Sequence, residues 1–136
     1  MYMRKFFLVI FAICMVFTLT ACKDTKKPSS TPTDVIESFF SAFESSDYKT
    51  MKTYCTEKCI EYYFHDGDVD GMVWAKLTES GEEEIVDDHI IYILVTVEME
   101  TAKTSALYPE TETSFYVELI QNNDGSWLIN GFPTGK

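Results

Sequence analysis

The chain has 136 residues, with 22 acidic side chains against 11 basic ones and a formal charge of −11. That surplus of carboxylates argues against nucleic acid as a partner, because phosphate binding needs clustered Lys and Arg. The length suits one domain behind a targeting segment, and the 46% of apolar and aromatic residues are enough to bury a core.

Residues 1–21 read as an export signal in three parts. Arg4 and Lys5 supply a short positive start, and Phe6 to Phe17 is an almost unbroken apolar run. The run closes on Leu19-Thr20-Ala21-Cys22, a sequence of aliphatic, small, small and cysteine that resembles the lipobox of bacterial lipoproteins. The 16 residues from Phe6 to Ala21 include Thr18 and Thr20, and fall short of the roughly 18–20 apolar residues a spanning helix needs. The pattern predicts cleavage before Cys22, a thioether-linked diacylglycerol on its sulfur, and further acylation, for example by palmitate, of the freed amine. Two or more acyl chains suffice for stable anchoring. The expected location is therefore the extracytoplasmic face of a cell membrane.

Residues 22–32 read as the lipidated cysteine and a flexible tether, rich in Lys, Ser and Pro. Lys23, Lys26 and Lys27 would sit beside the lipid, where each gains about 1 kcal/mol near an anionic leaflet. Residues 33–136 form the expected domain. Beyond the signal nine basic residues face all 22 acids, so this domain should be repelled from the same leaflet.

Thr31-Pro32-Thr33-Asp34 is a helix start, with Thr31 as cap and Pro32 at the first helical position. Val35, Ile36, Phe39, Phe40 and Phe43 then make one apolar stripe at helical spacing. The helix should end near Ser45-Ser46. Asp47 caps a short second helix carrying Tyr48, Met51, Tyr54 and Cys55, and Thr56 opens a further turn or two with Ile60, Tyr63 and Phe64. After His65 the pattern changes to strands. The first is expected over 72–79, with a turn at Gly81 and Glu82 to Glu84. A long strand follows over 85–100, in which Ile91, Ile93, Val95, Val97 and Met99 face the core. A loop with Pro109 leads to a strand around Phe115, Val117 and Leu119. Asn123-Asp124-Gly125 turns the chain into a last strand with Trp127, Leu128 and Ile129.

Helices followed by antiparallel strands predict an α+β fold, with the N-terminal helices packed on a curved sheet. The opening Val35-Ile36-Glu37-Ser38-Phe39-Phe40-Ser41-Ala42-Phe43, the Asp47-Tyr48 helix start and the closing Asp124-Gly125-Ser126-Trp127-Leu128-Ile129 resemble the nuclear transport factor 2-like superfamily over about residues 33–131. The resemblance implies a cone-shaped domain in which some members bind small molecules between sheet and helices. Some are isomerases or dehydratases that use Asp, His or Tyr there.

Several constellations could carry chemistry. Asp66-Gly67-Asp68-Val69-Asp70-Gly71 matches the first half of a calcium loop, with oxygen donors at alternate positions and a turning glycine. Its twelfth position is Leu77 in place of a bidentate Glu, so the expectation is weak calcium binding by Asp66, Asp68 and Asp70 or a plain turn, and no other cofactor. Cys55 and Cys59 are either a disulfide or two packed thiols, and with His65 they lack a fourth metal ligand. His89 shares parity with Ile91, so it is expected on the core side, where Asp87 could orient it as a general base. Trp74, Tyr62 and Tyr63 are expected near it at a pocket mouth. No nucleophile motif or phosphate loop accompanies them. The expected function is a non-catalytic, membrane-anchored module that binds a small ligand or a protein. The alternatives are an isomerase or dehydratase working in the sheet-helix cavity, and a purely structural envelope protein. The supply of large side chains predicts a largely filled interior, with at most a shallow cleft near Trp74 and His89.

Overall fold

The computed structural model describes residues 31–106, 108 and 110–133. The expected export signal, Cys22 and most of the expected tether lie outside the described residues. Among the described residues no helix is long and apolar enough to cross a membrane.

Helix α1 spans Pro32–Glu44. Thr31 starts it as expected, its side chain accepting from the Asp34 backbone N–H at 3.2 Å, and Pro32 needs no partner for the N–H it lacks. Its end is equally local. The Ser46 N–H donates to the Phe43 carbonyl and the Asp47 N–H to that of Ala42, the paired bonds of a helix end that reverses through one left-handed residue. Ser46 takes that role at φ 55°. Asp47 then caps α2, Tyr48–Lys52, by accepting from Thr50. Thr56 caps α3, Glu57–Tyr63, by accepting from the Cys59 N–H.

Among the described residues six strands follow: β1 (Phe64–His65), β2 (Asp68–Val69), β3 (Met72–Asp87), β4 (Ile90–Thr101), β5 (Glu112–Gln121) and β6 (Trp127–Gly131). Each pairs antiparallel with the next, giving one meandering sheet that curls into a half-barrel. Four register shifts between β3 and β4 supply curvature, since a bulge bends a strand and increases its twist. The architecture is α+β, with helices on a curved antiparallel sheet.

The concave face is filled. Ile91, Ile93, Val95 and Val97 of β4 and Val117 and Leu119 of β5 meet Val35, Ile36, Phe39, Phe40 and Phe43 of α1, all buried. Phe132, just past β6, is a hub the sequence pattern does not reveal: its ring lies 5.8 Å from Phe39, 6.1 Å from Phe115 and 5.2 Å from Tyr63. The pairs with Tyr63 and Phe115 are edge-to-face and add to what area burial supplies.

Two expectations about the strands need correction. Gly81 and Glu82 to Glu84 are not a turn: β3 runs through them, shifting register between Ser80 and Glu83. Gly81 is there for close approach, because a Cβ on it would lie 3.1 Å from the Leu94 carbonyl oxygen. The turn falls instead at Asp88-His89, since Asp87 already pairs with Ile90. His89 is therefore exposed at a hairpin tip and not on the core face. Its parity with Ile91 carries no meaning, because the strand begins one residue after it.

Candidate functional site

The best-formed polar arrangement is built where α3 meets the far edge of the sheet. The connection from α2 to α3 runs along β6: the Thr56 N–H donates to the Ile129 carbonyl, and the Ile129 N–H to that of Tyr54. This docking brings the Thr56 side chain to the sheet, where its hydroxyl donates to Asn130 Oδ1 at 3.0 Å. Asn130 Nδ2 donates to Glu118 Oε1 at 2.5 Å, and the Tyr92 hydroxyl donates to Glu118 Oε2 at 2.9 Å. The Tyr92 hydroxyl is held protonated by this bond to Glu118, which raises its pKa.

Tyr63, at the end of α3, lays its ring on β6. A Cβ on Gly131 would stand 3.0 Å from the Tyr63 hydroxyl, so glycine permits the contact. Burial raises the pKa of that hydroxyl. Lys58 and Tyr62 lie one turn apart on the same helix and form the outer wall. Tyr62 is 72% exposed, its ring 6.0 Å from that of Tyr63 and inclined at 55°. Together with Glu118, Asn130 and Pro133 these groups line a cleft of about 350 Å³, at the lower end of the roughly 300–1,000 Å³ typical of ligand sites.

The Asp-rich segment folds otherwise than a calcium loop. Asp70 and Gly71 both take positive φ, 52° and 84°, as a tight two-residue hairpin turn between β2 and β3 requires. Asp66 is exposed at the previous turn. Asp68 Oδ1 accepts from the Gly71 N–H at 2.8 Å and lies 3.2 Å from His65 Nδ1. Asp70 Oδ2 turns away to accept from the Tyr108 hydroxyl at 2.5 Å. Burial pushes the Asp70 carboxyl above its usual range, opposed by that bond, and burial also drives the Tyr108 hydroxyl upward. The carboxylates thus serve separate partners. Among the described residues no group of three or more His, Cys, Asp or Glu could hold a metal ion. A second cleft, of about 270 Å³, opens beside His65, Asp68, Asp70 and Ser105.

The expected pocket mouth is dispersed. Tyr62 and Tyr63 stay together in the first cleft. Trp74 is far from them in role, donating through Nε1 to the Glu44 carbonyl at 2.9 Å and so fastening β3 to the end of α1. His89 and Asp87 sit at the opposite end of β3, separated from Trp74 by roughly 40 Å of strand; there the His89 N–H faces Asp87 Oδ1 at 3.4 Å. Cys55 and Cys59 are buried thiols with no disulfide between them. The helix does break between them, at the Thr56 cap. The neighbouring Cys59 thiol, followed by burial, pushes the Cys55 thiol far up, which makes it a poor nucleophile.

Lys58, Glu118, Asn130 and Gly131 escape the sequence reading. The only signal for them was parity: Glu118 lies in register with Tyr92 across β4 and β5, on the outward side. No protein-family model matches the chain, and no match is found among the curated proteins.

Proposed function

We propose that the chain is a lipid-anchored module on the extracytoplasmic face of a cell membrane, with a nuclear transport factor 2-like domain that binds a ligand or partner and performs no reaction. One observation carries the reading. The space between sheet and helices, where enzymes of that superfamily are expected to hold substrate, is filled by Phe39, Phe40, Phe43, Ile93, Val95 and Leu119, none more than 1% exposed. The competing isomerase or dehydratase reading needs a general base beside an enclosed substrate. Its candidates His89 and Asp87 are both exposed at a hairpin tip. Binding then falls to the outside of the domain, and the cleft between α3 and β6 is the larger of the two described above. Among the described residues the order of elements, three helices and then a curled antiparallel sheet, supports the superfamily assignment.

Mass spectrometry of the membrane fraction should find diacylglycerol on Cys22, and Cys22→Ala should accumulate as unprocessed precursor. An unmodified Cys22 in the wild-type chain would end the anchoring reading. For the domain, 1-anilinonaphthalene-8-sulfonate should gain no fluorescence from the folded protein. Saturable uptake that disappears in Phe40→Trp would mean an open interior and restore the enzyme reading. The proposal includes no cofactor, so melting curves in millimolar calcium, the range of weak extracellular sites, and in chelator should coincide.

A further inference from the structure

We propose that the cleft between α3 and β6 is a saccharide site, taking a neutral polyhydroxylated ring. This rests on the binding reading above and supplies the chemical class that reading leaves open. The argument begins with charge. The cleft carries one cation, Lys58, and one anion, Glu118, so its lining selects for neither sign.

Nor is Glu118 a bare counter-ion. Asn130 Nδ2 and the Tyr92 hydroxyl already donate to its two oxygens. Each oxygen keeps a lone pair for one more donor, and the Asn130 amide keeps a second N–H. Asn130 cannot swing, because Thr56 holds its carbonyl from the other side. The result is a fixed set of acceptors and a donor in one place. Neighbouring hydroxyls, which both donate and accept, match such a set, and its rigidity lowers the ordering cost of binding. An apolar ligand would strip water from these groups and leave their remaining donor and acceptor capacity unmet.

The aromatic walls complete the case. Tyr62 and Tyr63 meet at 55°, not face to face, and Tyr62 is largely exposed. A ring face at the rim is therefore available to the C–H face of a sugar, while its hydroxyls reach the Glu118–Asn130 pair. A volume of about 350 Å³ admits about one or two pyranose rings, a small ligand by the measure of known sites.

The test uses the lipidated full chain, labelled with ¹⁵N in detergent micelles. It is titrated separately with glucose, N-acetylglucosamine, maltose and cellobiose, and with glucose 6-phosphate, lysine and indole as charged and apolar probes. At least one neutral saccharide should shift the amides of Tyr62, Asn130 and Gly131 saturably. Tyr62→Ala should weaken that binding at least tenfold and Tyr62→Trp should retain it; the position is exposed, so both variants should fold. Saccharide shifts that are indifferent to Tyr62→Ala would overturn the site. Shifts of those amides by indole, lysine or glucose 6-phosphate, with none by a neutral sugar, would overturn the saccharide class and leave the binding reading standing. If no probe of any class moves them, the saccharide site and the small-ligand form of the binding reading both fall, and a protein partner is the form that stands.

Discussion

Strands β3 and β4 pair with each other from Met72 and Thr101 to Asp87 and Ile90, yet they live in different environments. β4 alternates without fault: Ile91, Ile93, Val95, Val97 and Met99 are buried, and the residues between them are not. β3 is the longer strand and buries only Met72 and Ala75. The difference is the second neighbour. β4 has β5 hydrogen-bonded along its other side, whereas β2 reaches only as far as Met72, and α1 meets β3 there through side chains such as Trp74 and Lys76 and not through a strand ladder. Beyond that point β3 is an edge. Its bulges and its run Glu82-Glu83-Glu84 are devices by which edges avoid pairing with other chains. A hydrophobic side chain at the tip does not make a core: Ile85 is 80% exposed.

The comparison can be broken at its strongest point by a matched pair. Ile93→Ala on β4 should cost about 2–5 kcal/mol in urea unfolding, the usual range for emptying a filled site. Ile85→Ala, the same chemical change on the same hairpin, should stay within about 0.5 kcal/mol. Similar losses from both would mean that the arm is covered by something else.

A smaller effect should mark the one position on the arm where packing is tight. Gly81→Ala pushes a methyl group towards the Leu94 carbonyl oxygen, a backbone atom that cannot turn aside. Overpacking of this kind costs about 1–3 kcal/mol, and thermal melting should register the low end of it. No loss would mean that β3 can shift its register freely there.

Smaller again is a pH effect at the packed end of β3. The folded state raises the Asp70 carboxyl by burial, so the native protein binds that proton more tightly than the unfolded chain does. Its contribution to stability should fall as pH rises from the ordinary carboxylate range through the raised Asp70 value. Asp47 and Asp124 have lowered values, through hydrogen bonds from Thr50 and Ser126, and act in the opposite direction. Melting temperatures of wild type and Asp70→Asn across pH 3–7 separate the two, because Asn can still accept from Tyr108. The variant should gain relative to wild type as pH rises, and parallel curves would refute the assignment. Smallest of all, His89→Ala at the hairpin tip should change stability by no more than about 0.5 kcal/mol.

Helix starts, strand parity in β4 and β5, and the Asn123-Asp124-Gly125 turn were legible because each is written within a few residues. Thr31 reaches Asp34, Asp47 reaches Thr50 and Thr56 reaches Cys59, each three positions on. Where two local codes competed, the reading went astray, as at Gly81, or stayed open, as at Asp66–Gly71. Gly81 has the composition of a turn but lies where two strands approach closely. The Asp66–Gly71 segment has calcium-like spacing, but its Asp70-Gly71 step also fits a tight hairpin, and the antiparallel pairing of Val69 with Met72 selects that fold.

By itself, then, the sequence determined the order of helices and strands, the stripe of α1 that meets the sheet, and the acidic character of the domain, because periodicity, caps and charge are properties of neighbouring residues. Only the tertiary structure decided what lines the candidate site. Asn130 and Glu118 are 12 residues apart, Tyr92 and Glu118 26, and Thr56 and Asn130 74. Separations of that size carry no periodic signal. They close only when the α2–α3 connection docks along β6 and the meander sets β4 beside β5.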